Sequence, residues 1–393
     1  MTQVKIFGAH DERTKEQMAR CMQYGSVVGG VLCADGHLGY AQPVGGVVAY
    51  DEHISVSGVG FDIACGNMAV KLDVPKAAIA DRIGSIVNAI AASVSFGLGR
   101  SNAEKVEHEL FDSPLWQEAE LVGQLKGMAR DQLGTVGSGN HYVDLFEDED
   151  GLIWIGVHFG SRGLGHKTAT AFIKAAGGKD GIDVAPTVLH QDSDLGRQYL
   201  AGMTLAGRYA YAGREWVVEK VRSIVGGEVL DSVHNHHNYA WRERHGERDL
   251  WVVRKGATPA FPGQRGFVGG SMGDDAVILS GVESATSAES FYSTVHGAGR
   301  VMSRTEARGR SVKDPETGKR MRRPGRVRHD EMQAWLRDKG VHLVGGDLDE
   351  APQAYRRLPD VLAQHAGTVK VEHTLRPFAV VMAGADVFDP FKD

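Results

Sequence analysis

The chain has almost no cysteine. Cys21, Cys33 and Cys65 are its three in 393 residues, too few and too odd in number for a disulfide framework, which points to a reducing compartment. It also lacks long apolar runs. No window approaches the ~18 apolar residues of a membrane span, and the best stretch, 83–98, is broken by serines and Asn88. No apolar segment follows a basic start between Met1 and His10, so no signal peptide is visible and a cytoplasmic protein without a membrane partner is expected. An overall positive charge is missing too: the net charge of −6 does not advertise a nucleic-acid-binding surface. Neither a GxGxxG before a helix nor a Gly-Lys-Ser/Thr phosphate loop occurs, which leaves the common dinucleotide and Walker sites unsupported. With no Pro/Ser-rich linker and no repeat, one unit covering 1–393 is expected rather than separable domains.

What is present is ordinary in bulk and unusual in detail. Hydrophobic residues make up 42% and charged residues 24%, enough for a real core. The 51 glycines cluster in short motifs, as functional loops do. Helical patterns are read at 12–24, 76–93, 101–122 and 194–225, a Gly-rich turn at 34–40, and strands at 44–48, 152–157 and 378–382. Helices and strands intermix throughout, which favours an α+β fold of mixed sheets and helices.

Charge departs from the average once. Between Arg300 and His329 eleven Lys/Arg face three acidic residues, a local +8 that leaves about −14 for the remainder. Such an excursion on an acidic protein is a candidate phosphate-backbone contact, because Lys and Arg displace condensed counterions. The bland alternative is a solubilising loop. Asp314-Pro315-Glu316-Thr317-Gly318 within it reads as an exposed turn.

The chemistry gathers around Gly58-Val59-Gly60-Phe61-Asp62-Ile63-Ala64-Cys65-Gly66. Glycines permit a tight loop around a bound group. Asp62 and Cys65 offer a hard oxygen and a soft sulfur three residues apart, a mixture that intermediate metals such as Zn²⁺ and Mn²⁺ accept. Cys65 could equally be a small buried apolar residue. Of seventeen histidines, several stand in glycine- or asparagine-rich settings: Gly139-Asn140-His141, His158-Phe159-Gly160-Ser161-Arg162-Gly163, His234-Asn235-His236-His237-Asn238 and His296-Gly297-Ala298-Gly299-Arg300. A lone histidine is usually an ordinary core or surface residue; together with Asp62 and Cys65 the set supplies donors for two metals. His296 differs, since small neighbours clear room for a bulky ligand and Arg300 and Arg304 add fixed charge. An imidazole so placed can act as a nucleophile towards phosphorus, with arginines on the phosphate oxygens. Gly269-Gly270-Ser271-Met272-Gly273 can present backbone N–H groups to an anion. Asp35 and His37 are either catalytic or braces of their loop.

In this order and spacing, these motifs resemble the RtcB family of RNA-splicing ligases over nearly the whole chain. The likeness runs from Asp35-Gly36-His37-Leu38-Gly39-Tyr40 through the motifs above, with Arg254-Lys255-Gly256-Ala257, to His296–Arg304. It implies an RNA ligase that joins 2′,3′-cyclic-phosphate or 3′-phosphate ends to 5′-hydroxyl ends, in RNA repair or tRNA splicing. The implied cofactors are GTP and two Mn²⁺ ions, with Zn²⁺ suited to the same donors. His296 would carry GMP, and Asp62, Cys65, His141, His158 and His237 would hold the metals around a deep cleft. His237 is chosen over His234 because an asparagine and an aromatic residue follow it. Nucleotide contacts are implied for Asn140, His141, Tyr142, Val143, Asp144, His237, Asn238, Gly269, Gly270, Ser271, Met272, His296, Gly297, Ala298 and Gly299. Asp35, Arg162, Arg300 and Arg304 would meet phosphate or RNA, and an activating protein partner is a further implication.

The sequence departs from the family pattern around the base. Ala383 stands where a lysine is usual, Ala276 where a serine is, Gly269 where a proline is, Phe159 where a serine is, and Asp144 is one methylene shorter than the usual glutamate. A lost charge-assisted hydrogen bond costs roughly 1.5–3 kcal/mol, so a different nucleotide preference is one alternative. A metal-dependent phosphodiesterase or phosphatase, and a non-catalytic RNA-binding paralogue, are the others.

Overall fold

The computed structural model describes residues 3–313, 320–385 and 387. Two sheets carry the architecture. In the smaller, the strands run in the order Val4–Ile6, Val27–His37, Val44–Tyr50, Arg248–Lys255 and Asn238–His245. In the larger the order is Arg265–Val268, Ala276–Gly281, Val369–Gly384, Tyr142–Glu147, Leu152–Phe159, Gly66–Pro75 and Val229–His236, with His342–Gly346 added in parallel to Val369–Gly384. Helices and strands intermix along the chain, as the sequence led us to expect of an α+β fold.

The antiparallel register of the larger sheet decides where chemistry can occur. Tyr142 opposes His158, and Gly66 opposes both Phe159 and His236. The starts of two strands and the ends of two others therefore meet at one end of the sheet. Neighbouring strands lie about 4.8 Å apart, so side chains on or just beyond these termini come within ligand-sharing distance. Gly66 is required there: a Cβ on it would meet the Asn235 carbonyl oxygen at 2.2 Å.

The helix Asp194–Val225 backs this end. Ser193 caps it by accepting from the Gly196 N–H at 3.0 Å, and Gly226 ends it with φ of 92°, the left-handed region that glycine enters freely. Its buried face includes Tyr209, Arg214, Val217 and Val221. Val217 and Val221 join the core formed by Val143, Ile155, Val157 and Phe159.

Three local expectations change. The pattern at 101–122 is not one helix but short turns at Glu109–Asp112, Leu115–Glu118 and Glu120–Gly123. Pro114 cannot continue a helix that precedes it and instead opens the next turn. The segment at 76–93 splits into a 3₁₀ turn, Lys76–Ile79, and a helix, Ile83–Ser93. The Gly-rich 34–40 stretch is strand in its first four residues, where Val27–His37 ends with its pairing to Val44–Tyr50 shifting between Leu32 and His37, and only 38–40 are irregular. The Asp314–Gly318 turn lies outside the described residues, but its flanks, Gly309–Lys313 and Arg320–Pro324, form an antiparallel hairpin.

Candidate metal and nucleotide site

A cleft of about 780 Å³ opens at the sheet end. Cys65 lies immediately before one strand, His141 immediately before another, His158 near the end of a third and His237 just beyond a fourth. Two three-donor groups result, Asp62/Cys65/His141 and Cys65/His158/His237, sharing the one thiol. Cys65 Sγ is 3.3 Å from His158 Nε2 and 3.7 Å from His141 Nε2, and His141 Nε2 is 3.0 Å from Asp62 Oδ2. His158 donates its Nδ1–H to the Asn140 carbonyl at 3.1 Å, which turns Nε2 towards the thiol. This is how a metal-binding imidazole is oriented by its other nitrogen. Gly160 keeps room for Asp62, since a Cβ there would fall 2.2 Å from its Oδ1.

The imidazoles form a row. Ring centroids are 5.5 Å apart for His141 and His158, 5.2 Å for His158 and His237, and 4.9 Å for His237 and His296. Burial, with the neighbouring imidazoles, holds His158 and His237 well below the usual histidine range, so both are neutral and able to donate a lone pair. Burial and the Asp62 carboxylate push the Cys65 thiol up; a thiol that coordinates a metal gives up its proton. Three imidazoles, a carboxylate and a shared thiol fit Mn²⁺ or Zn²⁺ by donor chemistry.

His296 follows the strand Ser293–Val295, which pairs with Ala257–Pro259. Ala257 N–H in turn donates to the His237 carbonyl at 3.1 Å, and this chain of contacts carries the imidazole to the donor cluster. Behind it is Asp35. One carboxylate oxygen accepts from His296 Nδ1 at 2.6 Å, His296 N–H at 3.0 Å and Gly297 N–H at 3.3 Å. Burial would raise this carboxyl, but the charge and hydrogen bonds of His296 more than offset it and hold it below the usual carboxylate range.

Asn140, Tyr142, Asp144, Asn238, Gly269, Gly270, Ser271, Met272 and the Gly297–Gly299 run all line the cleft, as do Arg300 and Arg304. Tyr142 Oη and Asp144 Oδ1 are buried without a hydrogen-bond partner, and burial raises the Asp144 carboxyl well above its ordinary value. Two arginines are already engaged. Arg300 donates to Tyr355 Oη at 2.8 Å and the Asp349 carbonyl at 2.7 Å, and Arg304 pairs with Asp349 at 3.2 Å and with Glu350.

Three expected contacts are not where the motifs suggested. Asp35 is fully buried behind His296, so it faces an imidazole and no phosphate. Arg162 donates to the Gly97 carbonyl and Thr135 Oγ1, at 3.0 and 3.3 Å, and acts on Asp62 through its charge without lining the cleft. Val143 points into the core while Tyr142 and Asp144 point to the cleft, because side chains alternate along a strand. Of the departures near the base, Ala276 packs with Phe146, Trp154 and Phe267. On the final strand Val380 and Met382 line the cleft, whereas Ala383 lies outside its lining. The apolar pair, Val380 and Met382, was not picked out from sequence, although their period-2 spacing carries the signal.

The tRNA-splicing ligase RtcB family model matches residues 17–127 and 115–383. The chain is 31% identical to RNA-splicing ligase RtcB of Escherichia coli strain K12 over 382 residues, covering 88% of each protein. It is 30% identical to tRNA-splicing ligase RtcB of Archaeoglobus fulgidus, over 91% of this chain and 88% of that one. For tRNA-splicing ligase RtcB of Thermococcus kodakarensis the identity is 30%, over 94% and 91%. With its strand-end donors and its matched residues in agreement, the chain belongs to the RtcB family.

Proposed function

We propose that this protein is an RNA ligase that joins 3′-phosphate or 2′,3′-cyclic-phosphate ends to 5′-hydroxyl ends through a histidine–GMP intermediate on His296, with GTP as nucleotide donor. The observation that carries the reading is the placement of His296, one ring from His237 at 4.9 Å and braced by Asp35 at 2.6 Å. An ionised Asp35 only accepts, so His296 Nδ1 carries the proton and Nε2 the lone pair. Nε2 attacks the α-phosphorus of GTP; a P–N bond forms as the P–O bond to pyrophosphate breaks. An RNA 3′-phosphate oxygen then displaces His296, and the 5′-hydroxyl displaces GMP, leaving a phosphodiester. A cyclic end is first opened by water to the 3′-phosphate. Asp62, Cys65, His141, His158 and His237 would hold two divalent cations, whose chemistry is to spread the charge developing on phosphate oxygens.

Joining is the test. Oligonucleotides with a 3′-phosphate and a 5′-hydroxyl, incubated with GTP and Mn²⁺, yield a product of summed length. Trimmed or dephosphorylated ends with no joined product would overturn the ligase reading in favour of a hydrolase.

The basic hairpin is proposed as an RNA contact outside the cleft. Arg310 opposes Arg323 across its ladder. Like charges directly opposite one another are destabilising, which a phosphate backbone relieves. Exposed Arg310 and Arg323, both changed to alanine, are expected to flatten the slope of log affinity against log salt by ~0.7 per residue for single-stranded RNA. An unchanged slope would mean the hairpin is a solvated loop.

A further inference from the structure

We infer that Arg214 is a positioning residue that builds one of the two candidate cation sites, the Cys65/His158/His237 group, and leaves the other largely unaffected. The inference rests on the metal reading of the cluster given above.

Arg214 projects from the middle of the helix Asp194–Val225 and is fully buried. Its guanidinium makes four hydrogen bonds. Nη1 donates to the Ala64 carbonyl at 3.1 Å and the Phe159 carbonyl at 2.6 Å, Nη2 to His236 Nδ1 at 2.9 Å and Nε to His234 Nε2 at 2.8 Å. Ala64, Phe159 and His236 are each one residue from a donor, namely Cys65, His158 and His237. These three are one of the two donor groups. One rigid fork thus ties together three separate strand ends whose side chains converge on a single point. Tyr211, one turn earlier, supports the same arms, its ring packing 3.8 Å from His234 and 4.3 Å from His236 between centroids.

The partners of Arg214 are all uncharged acceptors, two carbonyls and two imidazoles. Burying a guanidinium against neutral acceptors gains little stability compared with a well-packed apolar residue, so its value lies in geometry. Ala64 bears this out. It has φ of 59°, a left-handed conformation that a residue with a Cβ holds only when its surroundings impose it. Its N–H is pinned to the Asn238 carbonyl at 2.7 Å and its carbonyl to Arg214, so the fork holds this turn in register with the His158 and His237 arms.

The second group is held differently. Asp62 and His141 contact each other at 3.0 Å, and the Asp62 carbonyl accepts from Cys65 N–H at 3.0 Å and Asn238 Nδ2 at 3.2 Å. Arg214 bonds to neither Asp62 nor His141 nor their chain neighbours. The shared Cys65 keeps these ties, and its carbonyl still accepts from His237 N–H at 2.8 Å.

The test separates the sites. Full-length, metal-stripped His141→Ala protein retains the Cys65/His158/His237 group, and His158→Ala protein retains the Asp62/Cys65/His141 group. Each is titrated with Co²⁺ against a competing chelator, and the thiolate-to-cobalt absorbance is followed with and without Arg214→Lys. Lysine keeps the charge but cannot span four acceptors. Changing an outer partner of a ligand typically weakens metal binding 10–100-fold, and that loss is expected in the His141→Ala background, with a change of less than about threefold in the His158→Ala background. No loss in the first background, or equal losses in both, would overturn the inference. If Arg214→Lys protein does not fold by circular dichroism, His236→Asn, which removes one arm and leaves the arginine, takes its place with the same selectivity expected and the same two overturning results. Absence of the cobalt absorbance even with Arg214 intact would instead sink the metal reading itself.

Discussion

His296→Ala abolishes the covalent nucleotide adduct. Wild-type protein incubated with GTP labelled in its α-phosphate and Mn²⁺ is expected to retain label through denaturation and lose it in acid, as a phosphoramidate does. The alanine variant retains none, a fall of at least about a thousandfold, because no other nucleophile is aligned to take over. The nearest imidazole, His237, is well below the usual histidine range through burial and its charged neighbours, but its lone pair belongs to the donor cluster. His37, pushed down to about 4 by burial, donates Nδ1–H to the Asp35 carbonyl at 3.0 Å, and no carboxylate among the described residues hydrogen-bonds its ring. Metal content should be unchanged in the variant, since His296 belongs to neither donor group. That pairing of lost adduct with kept metal separates a missing nucleophile from a collapsed site. Label on the alanine variant would place the nucleophile elsewhere. Wild-type protein that takes no label from any nucleoside triphosphate, yet processes RNA ends, would leave a metal-dependent hydrolase.

The donors were legible because each announces itself locally. His141 and His237 stand beside an asparagine and His158 two residues from glycines, and the fold puts each at a strand end, where a sheet exposes side chains to a cleft. Period-2 alternation also separates the crowded histidines. His234 and His236 share one face of the strand Val229–His236 and meet Arg214, and the chain leaves the strand before His237. The same alternation should have set Val143 apart from Tyr142 and Asp144. Other features had no local signal. Asp35 meets His296 across 261 residues, a pairing fixed where the strand Val27–His37 packs beside the short strand Ser293–Val295 and invisible in the sequence of a Gly-rich stretch. Arg214 looks like any basic residue in a long helix; only the convergence of three strand ends upon it gives it a role. The pattern at 101–122 misled because charge spacing there outweighed a single proline.

Asp35→Asn tests orientation without touching shape. Asparagine is nearly isosteric, so the loop and the backbone bonds from His296 N–H and Gly297 N–H can persist with its oxygen as acceptor. Its amide nitrogen, however, donates. If that nitrogen takes the place of the oxygen that accepts all three bonds, the two backbone bonds are lost as well, His296 Nδ1 must accept, the proton moves to Nε2, and the atom that should attack phosphorus has no free lone pair. If the oxygen faces the ring, the tautomer survives but the charge that stabilises the imidazole once phosphorus is attached is gone. Both cost rate. At an Asp–His pair in a different enzyme the same exchange lowers turnover by about 10⁴-fold through the wrong tautomer, and a loss of about 10³–10⁴-fold in adduct formation is expected here, with nucleotide affinity nearly unchanged. The pH dependence separates the two contributions. The Asp35 carboxyl is held below the usual carboxylate range by His296, so in the wild type the brace is present above that lowered value and is lost as pH falls through it. The asparagine variant has no such titration, and its acid limb should lack that inflection. A variant that forms adduct within about tenfold of wild type would mean that the carboxylate braces the loop and does not set the imidazole.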